Sequence, residues 1–326
     1  MQLQRRRFLQ VAASTAAFPA VTRIARAQSY PTRPVRMIVP FAPGGQTDTI
    51  ARLLARKLSE GGTQFYVENV PGAGGNIGIG RAAHAAADGY TLLVIDQINY
   101  AVNPSLYDKV PYDPARDFEP IGFAATTTQV LTVTPSLPVQ SVTELVGLIK
   151  ANPGKYSYAS AGVGSPSHLT SELFRVSLGL ELVHVPFNGA GPAALSTVGG
   201  HTPIAFGSPA STVALLSDGK LRALAVATKT RLAALPNVQT MAEAGFPDIV
   251  CDARLGVFSP TGTLASVVSL LNREIAKIVV LPEVIERLAT LGFEPFATTP
   301  EQSTALIKIE GEKWVKVIRD ARIRAE

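Results

Sequence analysis

Short apolar runs recur along the chain, each followed by a glycine-rich break and then by apolar positions at helical spacing. The first run is Val35 to Val39, followed by Pro40-Phe41-Ala42-Pro43-Gly44-Gly45-Gln46-Thr47-Asp48 and by Ile50, Leu53, Leu54 and Leu58. This order predicts strand, loop and helix, with Thr47 as N-cap and paired glycines making the turn. A second unit reads Thr63 to Glu68, then Asn69-Val70-Pro71-Gly72-Ala73-Gly74-Gly75-Asn76, then an Ala-rich helix to about Ala87 with Asn76 as its cap. The third runs from Tyr156 to Ser160 through Ala161-Gly162-Val163-Gly164 into a helix capped by Ser165 with Pro166 at its first position. In the fourth, Leu182 to Phe187 leads through Asn188-Gly189-Ala190-Gly191 to Pro192, read as the first residue of another helix.

Between and after these units the pattern is plainer. Thr91 to Ile95 predicts a buried strand ending at Asp96, Asn103 to Pro120 a proline-rich loop, and Ile121 to Val133 one extended run. Glu144 to Ala151 predicts a helix, while Ile204 to Phe206 and Leu224 to Ala227 predict strands. Leu264 to Val280, Pro282 to Leu291 and Pro300 to Ile323 are amphipathic helices; Thr299 and Gln302 form a capping box, and Trp314 lies on the apolar face. Lys229 to Leu235 reads as a polar crossing. Two units precede the first crossing and two follow it, so the expected architecture is two α/β lobes facing a ligand cleft. One lobe takes residues 28–130 and 230–326, the other 131–229, with the two crossing segments as hinge.

The first residues change the charge picture. Arg5-Arg6-Arg7-Phe8-Leu9, an apolar middle and Ala25-Arg26-Ala27 read as an export signal over residues 1–27, with Arg5-Arg6 suiting the twin-arginine variant. This segment holds five arginines and no acid, so its removal takes the formal charge from +5 to near zero. No basic stripe is then left for nucleic acid, and no later apolar run is long enough for a membrane span. The single cysteine, Cys251, forms no internal disulfide and reads as a small buried residue.

Glycine loops that deliver bare backbone to helix starts suit anions, because orphan N–H groups and the positive end of the helix dipole meet there. The alternative for each loop is a structural turn. The candidate ligand-binding positions are Phe41, Ala42, Gly44, Gly45, Gln46 and Asp48 in the first loop and Ala73, Gly74, Gly75 and Asn76 in the second. Ala161, Gly164, Ser165 and His168 in the third and Phe187 and Asn188 in the fourth complete the loop set. None of these loops contains Lys or Arg, which favours a small carboxylate over a nucleotide. For His168, ligand contact and helix-end packing both stand. Asp96 ends a strand and so should point toward the cleft; either it is turned away and bonded to nearby turn N–H groups, or it meets a donor on the ligand such as a hydroxyl or ammonium. Gly78-x-Gly80-x-x-Ala83 imitates a dinucleotide fingerprint, but Gly78 lies too far beyond the strand, and no cofactor is expected. Neither a nucleophile elbow nor a metal-spaced His/Cys cluster occurs, and His84, His168, His184 and His201 are scattered. An exported α/β enzyme or a nucleotide-binding protein remains the alternative reading.

Phe41-Ala42-Pro43-Gly44-Gly45, Pro71-Gly72-Ala73-Gly74-Gly75-Asn76, Asp88-Gly89-Tyr90-Thr91-Leu92, Tyr158-Ala159-Ser160-Ala161-Gly162 and His184-Val185-Pro186-Phe187 occur in this order. Together they resemble the Bug family, the TctC-like solute receptors of tripartite tricarboxylate transporters. The resemblance covers essentially the whole chain beyond the signal. It implies a type II-like periplasmic-binding-protein fold and a monomeric periplasmic receptor without enzymatic activity. It further implies that organic carboxylates are bound, partly through ordered water, and passed to a large and a small integral-membrane subunit. Two departures stand out. Gly207 replaces a common aspartate, and Asp96 stands where small neutral residues are usual, so both positions are added to the candidate site.

Overall fold

The computed structural model describes residues 30–320 and 322–325, and the export-signal expectation for residues 1–27 lies outside them. Val35–Val39 (β1) is apolar at nearly every position, the pattern of a strand covered on both faces. It pairs in parallel with Phe65–Asn69 (β2) and Thr91–Asp96 (β3). The helices Gln46–Ser59 (α1) and Asn76–Ala83 (α2) connect these strands, and Gln97–Leu106 (α3) follows β3 directly. Phe118–Thr127 (β4) enters the same sheet. Val130–Val133 (β5) opens a second sheet with Ser157–Ser160 (β6), Val183–Pro186 (β7), Ile204–Gly207 (β8) and Arg222–Val226 (β9).

The helices of this second lobe are Val142–Ala151 (α4), Pro166–Ser177 (α5), Ala190–Val198 (α6) and Pro209–Ser217 (α7). The chain then returns through Ala253–Pro260 (β10), Ala265–Val279 (α8), Pro282–Thr290 (α9), Phe293–Pro295 (β11) and Pro300–Asp320 (α10). The six-stranded sheet has the order β11-β4-β10-β3-β1-β2 and the five-stranded sheet β7-β6-β8-β5-β9. β10 runs antiparallel to both β3 and β4, so the returning chain completes the first sheet at its centre.

Several local expectations are corrected. Ile121 to Val133 is not one strand; it is split at Thr128-Gln129, where the chain first crosses between sheets. The second crossing falls at Asp252, not at Lys229 to Leu235. Val226 bridges Thr240, Met241 N–H donates to Val226 O at 2.9 Å, and Cys251 N–H donates to Ala227 O at 2.9 Å. Leu232 packs with Val130 and Val226 of the second lobe, so the polar stretch around it is a surface excursion of that lobe. The two crossings are joined, because Ala227 N–H donates to Gln129 O at 2.8 Å and the Thr128 hydroxyl to Ala227 O at 2.8 Å. The first part of the expected loop from Asn103 is the helix α3, capped by Asp96, with Pro104 near its end where few ladder bonds remain to be lost.

Helix starts also shift. Gly45, not Thr47, caps α1; Gly75, not Asn76, caps α2; and Gly189 caps α6, which places Pro192 third in that helix. α2 ends at Ala83, short of Ala87. Ser165 caps α5 as its sequence suggests, accepting from His168 N–H at 3.2 Å.

One buried cluster spans both lobes. Ile98, Val102 and Leu106 of α3 and Trp314 and Ile318 of α10 share it with Leu131 and Val133 of β5 and Leu169 and Phe174 of α5. Trp314 is completely buried there. Trp314→Ala is expected to cost roughly 3–5 kcal/mol, because the cavity left under α10 cannot close fully. A urea titration would show this as a lower midpoint; a loss below about 1 kcal/mol would mean that α10 contributes little to the shared core.

Candidate functional site

The carboxyl ends of β1, β3, β6 and β8 open onto one cavity, the place in an α/β fold where small molecules bind. Phe41, Gly45, Gln46, Thr47 and Asp48 line it from the β1–α1 junction, and Asp96 and Asn99 from the start of α3. Gln129 and Thr132 come from the first crossing and β5. Ala161, Ser165, Pro166 and Ser167 are contributed by the β6–α5 junction, and Ala190, Ala193 and Ala194 by α6. Ala205, Phe206, Gly207, Ser208 and Thr212 complete the wall from β8 and α7. No Lys or Arg is among these residues.

Positive potential comes instead from backbone. The N-caps Gly45, Gly189 and Ser208 accept no first-turn N–H through a side chain, so α1, α6 and α7 begin with uncapped turns at the cavity. The Ser208 hydroxyl is instead paired with Ser211 Oγ at 3.1 Å. Gly207 leaves the mouth of β8 narrow, since a Cβ there would stand 2.7 Å from Thr212 Cγ2.

Two buried acids line the cavity and differ in their partners. Asp48 accepts from Gly44 N–H at 3.1 Å, Arg52 Nε at 2.9 Å and Asn69 Nδ2 at 2.9 Å. Burial pushes its carboxyl up, but the hydrogen bonds from Arg52, Asn69 and Gly44 outweigh that and hold it below the usual range. Asp96 accepts from Asn99 N–H at 2.9 Å as the cap of α3. Burial pushes it up to about 7, opposed only by backbone N–H groups, and among the described residues no ion pair reaches it. Asp96 is thus bonded to helix-start N–H groups, as the first reading has it, but it lines the cavity instead of turning away from it.

Of the sequence candidates, Phe41, Gly45, Gln46, Asp48, Asp96, Ala161, Ser165 and Gly207 line this cavity. The others are used elsewhere. Ala42 N–H donates to Asn188 O at 2.9 Å across the lobes, and a Cβ on Gly189 would lie 3.0 Å from that Ala42 nitrogen. A Cβ on Gly74 would collide with the Tyr107 hydroxyl and with Val163 O of the opposing loop. Gly44, at φ 91°, turns to give its N–H to Asp48, and Ala73, at φ 49°, shapes the turn into Gly74. Gly75 caps α2 against the Phe41 ring, and Asn76 Oδ1 accepts from Asn103 Nδ2 at 2.8 Å. Phe187 packs on Ala159 and Ala193.

Gly164 N–H donates to His168 Nδ1 at 3.1 Å, which together with the Ser165 cap makes His168 a helix-end packing residue. His168 and His184, distant in sequence, stack at 4.2 Å, and His184 Nε2 lies 2.7 Å from Ser160 Oγ. Burial pushes His168 well down and His184 down to about 4, so both imidazoles are neutral near pH 7. Ser160 is buried and outside the cavity lining, so this pair supports the lobe rather than a reaction at the site.

The residues the sequence reading passed over had unequal signals. Ser208-Pro209 after β8 repeats the Ser165-Pro166 start, so a fifth loop with Thr212 was legible. Asn99 lies three residues after Asp96 and therefore on the same helix face. Gln129, whose Nε2 donates to Gln46 Oε1 at 3.2 Å, and Thr132 sit in a buried run with no polar alternation to mark them.

Asp96→Asn separates the two jobs of this residue, because Asn caps helices as well as Asp. The native state keeps a proton on Asp96 that the unfolded chain has lost between about pH 4 and 7, so this group lowers stability as pH rises through that window. Asp96→Asn should therefore match the parent at about pH 4 and exceed it at about pH 8 by on the order of 2–4 kcal/mol. Thermal melts at both values check this, and an unchanged or lower melting temperature at the higher pH would contradict it.

Comparison with known proteins agrees with this geometry. Residues 50–323 match the model of the tripartite tricarboxylate transporter family receptor, TctC. BugT of Bordetella pertussis is 38% identical over 296 residues, covering 90% of this chain and 91% of that protein. The R. palustris protein Rpa4515, solved with adipate, superposes with a TM-score of 0.87 at 35% identity, covering 90% of this chain and 99% of that one. MatC from Rhodopseudomonas palustris, solved with bound malate, has a TM-score of 0.84 at 31% identity, covering 89% and 100%. With its two lobes, its cavity between helix starts and this similarity along nearly its full length, the chain belongs to the TctC family of receptors, the Bug-type periplasmic binding proteins.

Proposed function

We propose that this receptor captures a small organic carboxylate in the cavity between its lobes, without converting it, and delivers it to the membrane subunits of a tripartite tricarboxylate-type transporter. The observation that carries the reading is the convergence of α1, α6 and α7, each beginning without a side-chain cap, on a cavity without Lys or Arg. An anion there receives three favourable dipole ends of about 0.3–2 kcal/mol each, about 1–6 kcal/mol in all, and backbone N–H hydrogen bonds supply the rest of the roughly 8 kcal/mol that micromolar affinity needs. Adipate and malate in two relatives support the carboxylate class. The receptor acts as a monomer in the periplasm, exported by the twin-arginine signal over residues 1–27, with a large and a small membrane subunit as partners.

A thermal-shift screen of mono-, di- and aromatic carboxylates tests the binding. A ligand at about a hundred times its dissociation constant adds about 2.7 kcal/mol of stability, and mass spectrometry of each hit after incubation should recover it unchanged. No shift from any carboxylate, or turnover of a hit, overturns the reading.

The closed arrangement gives a second expectation. Gly74→Val would wedge a side chain between the Gly74 loop and Val163, so affinity for any hit should fall by about an order of magnitude or more. The ligand-free protein should also lose stability, about 1–2 kcal/mol for the side chain at φ 60° and more for the displacement of the Tyr107 hydroxyl. Calorimetric titration and melting of the same variant separate the two effects; unchanged affinity would show that closure at this point does not serve binding.

A further inference from the structure

At one end of the cavity lie two acceptors, one answered only by backbone N–H groups and one without a partner. Asp96 lines it, is 1% exposed, and is bonded only through backbone N–H groups of the helix it caps. Asn99, one turn further along α3, also lines it and is fully buried. Its Nδ2 is directed at Gly74 O at 3.5 Å, which leaves its Oδ1 as the second acceptor, buried and without any hydrogen-bond partner. The other acid of the cavity shows what a satisfied carboxylate looks like: Asp48 takes hydrogen bonds from Arg52, Asn69 and Gly44.

A buried carbonyl oxygen is seldom left without a donor, and a buried carboxylate without a cation seldom more so. A plain diacid placed with one carboxylate at the helix starts would set its other oxygens against these acceptors, which is repulsive. A ligand with a hydroxyl or ammonium group there would instead satisfy both. Resting on the carboxylate reading above, we propose that Asp96 and Asn99 form a donor-recognising subsite, so that the ligand is a small hydroxy- or amino-substituted carboxylate rather than an unsubstituted mono- or diacid.

Matched acids test this by calorimetric titration at about pH 8, where Asp96 is largely ionised. Succinate is compared with malate and aspartate, and adipate with 6-hydroxyhexanoate and 6-aminohexanoate, so that chain length and donor type vary separately. In at least one set the hydroxyl or ammonium member should bind about tenfold tighter or more than the plain diacid, and which member does so identifies the donor. Asp96→Asn should then weaken the donor-bearing acid by about 10–100-fold while leaving the plain diacid unchanged or tighter. Asn99→Leu, which keeps the helix and removes the second acceptor along with the long Nδ2 contact to Gly74 O, should weaken the same acid in the same direction. Plain diacids that bind as tightly as their donor-bearing partners in both sets, or an Asp96→Asn change that moves both classes equally, overturn the subsite while leaving carboxylate binding intact. Failure of every acid to bind overturns the carboxylate reading and the subsite together.

Discussion

Each helix begins with backbone N–H groups that its own ladder cannot satisfy. In this protein that constraint decides where the two lobes can be joined and what can lie between them. At α5 and α3 the chain answers it internally, with Ser165 and Asp96 accepting first-turn N–H groups. At α1, α6 and α7 it supplies no side chain, and residues at these starts line the same cavity. Their arrangement leaves a region of positive potential without a formal positive charge, a setting that discriminates by shape and hydrogen-bond direction more than by net charge.

The same constraint accounts for the glycines. A turn that carries backbone into a shared cleft must also let the opposing backbone approach, and side chains prevent that. Gly189 beside Ala42, and Gly74 beside Val163, lie where a Cβ would strike the facing loop. Their first task is thus to let the lobes meet, with the cavity walled by their neighbours in sequence. Of the polar side chains that enter it, Gln129 is held by Gln46, and Asp48 by Arg52 and Asn69.

The strand–loop–helix repeats were legible because apolar runs of strand length and helical spacing are local signals, and the Ser165-Pro166 start is local too. The second crossing was not legible. Lys229 to Leu235 has the composition of a connector, and only the hydrogen bonds of Met241 and Cys251 to the end of β9 reveal that the following segment still belongs to the second lobe. Cap positions slipped for a related reason: Thr47 and Asn76 have good capping side chains, yet Gly45 and Gly75 precede them and start the helices earlier. In the site, Asp96 was visible as an acid ending a strand. Gln129 and Thr132 were not, because their place in the wall depends on which face of β5 turns toward the first lobe.

α3 joins chemistry to posture. Its first residues look into the cavity from the end of β3, while Ile98, Val102 and Leu106 on its buried face are embedded in the core that includes second-lobe strands and α10. Any tilt of this one rod would be carried directly into the packing between the lobes, because its apolar side is part of that core. Cavity wall and lobe packing are thus two faces of a single helix, which ties the shape of the site to the posture of the lobes.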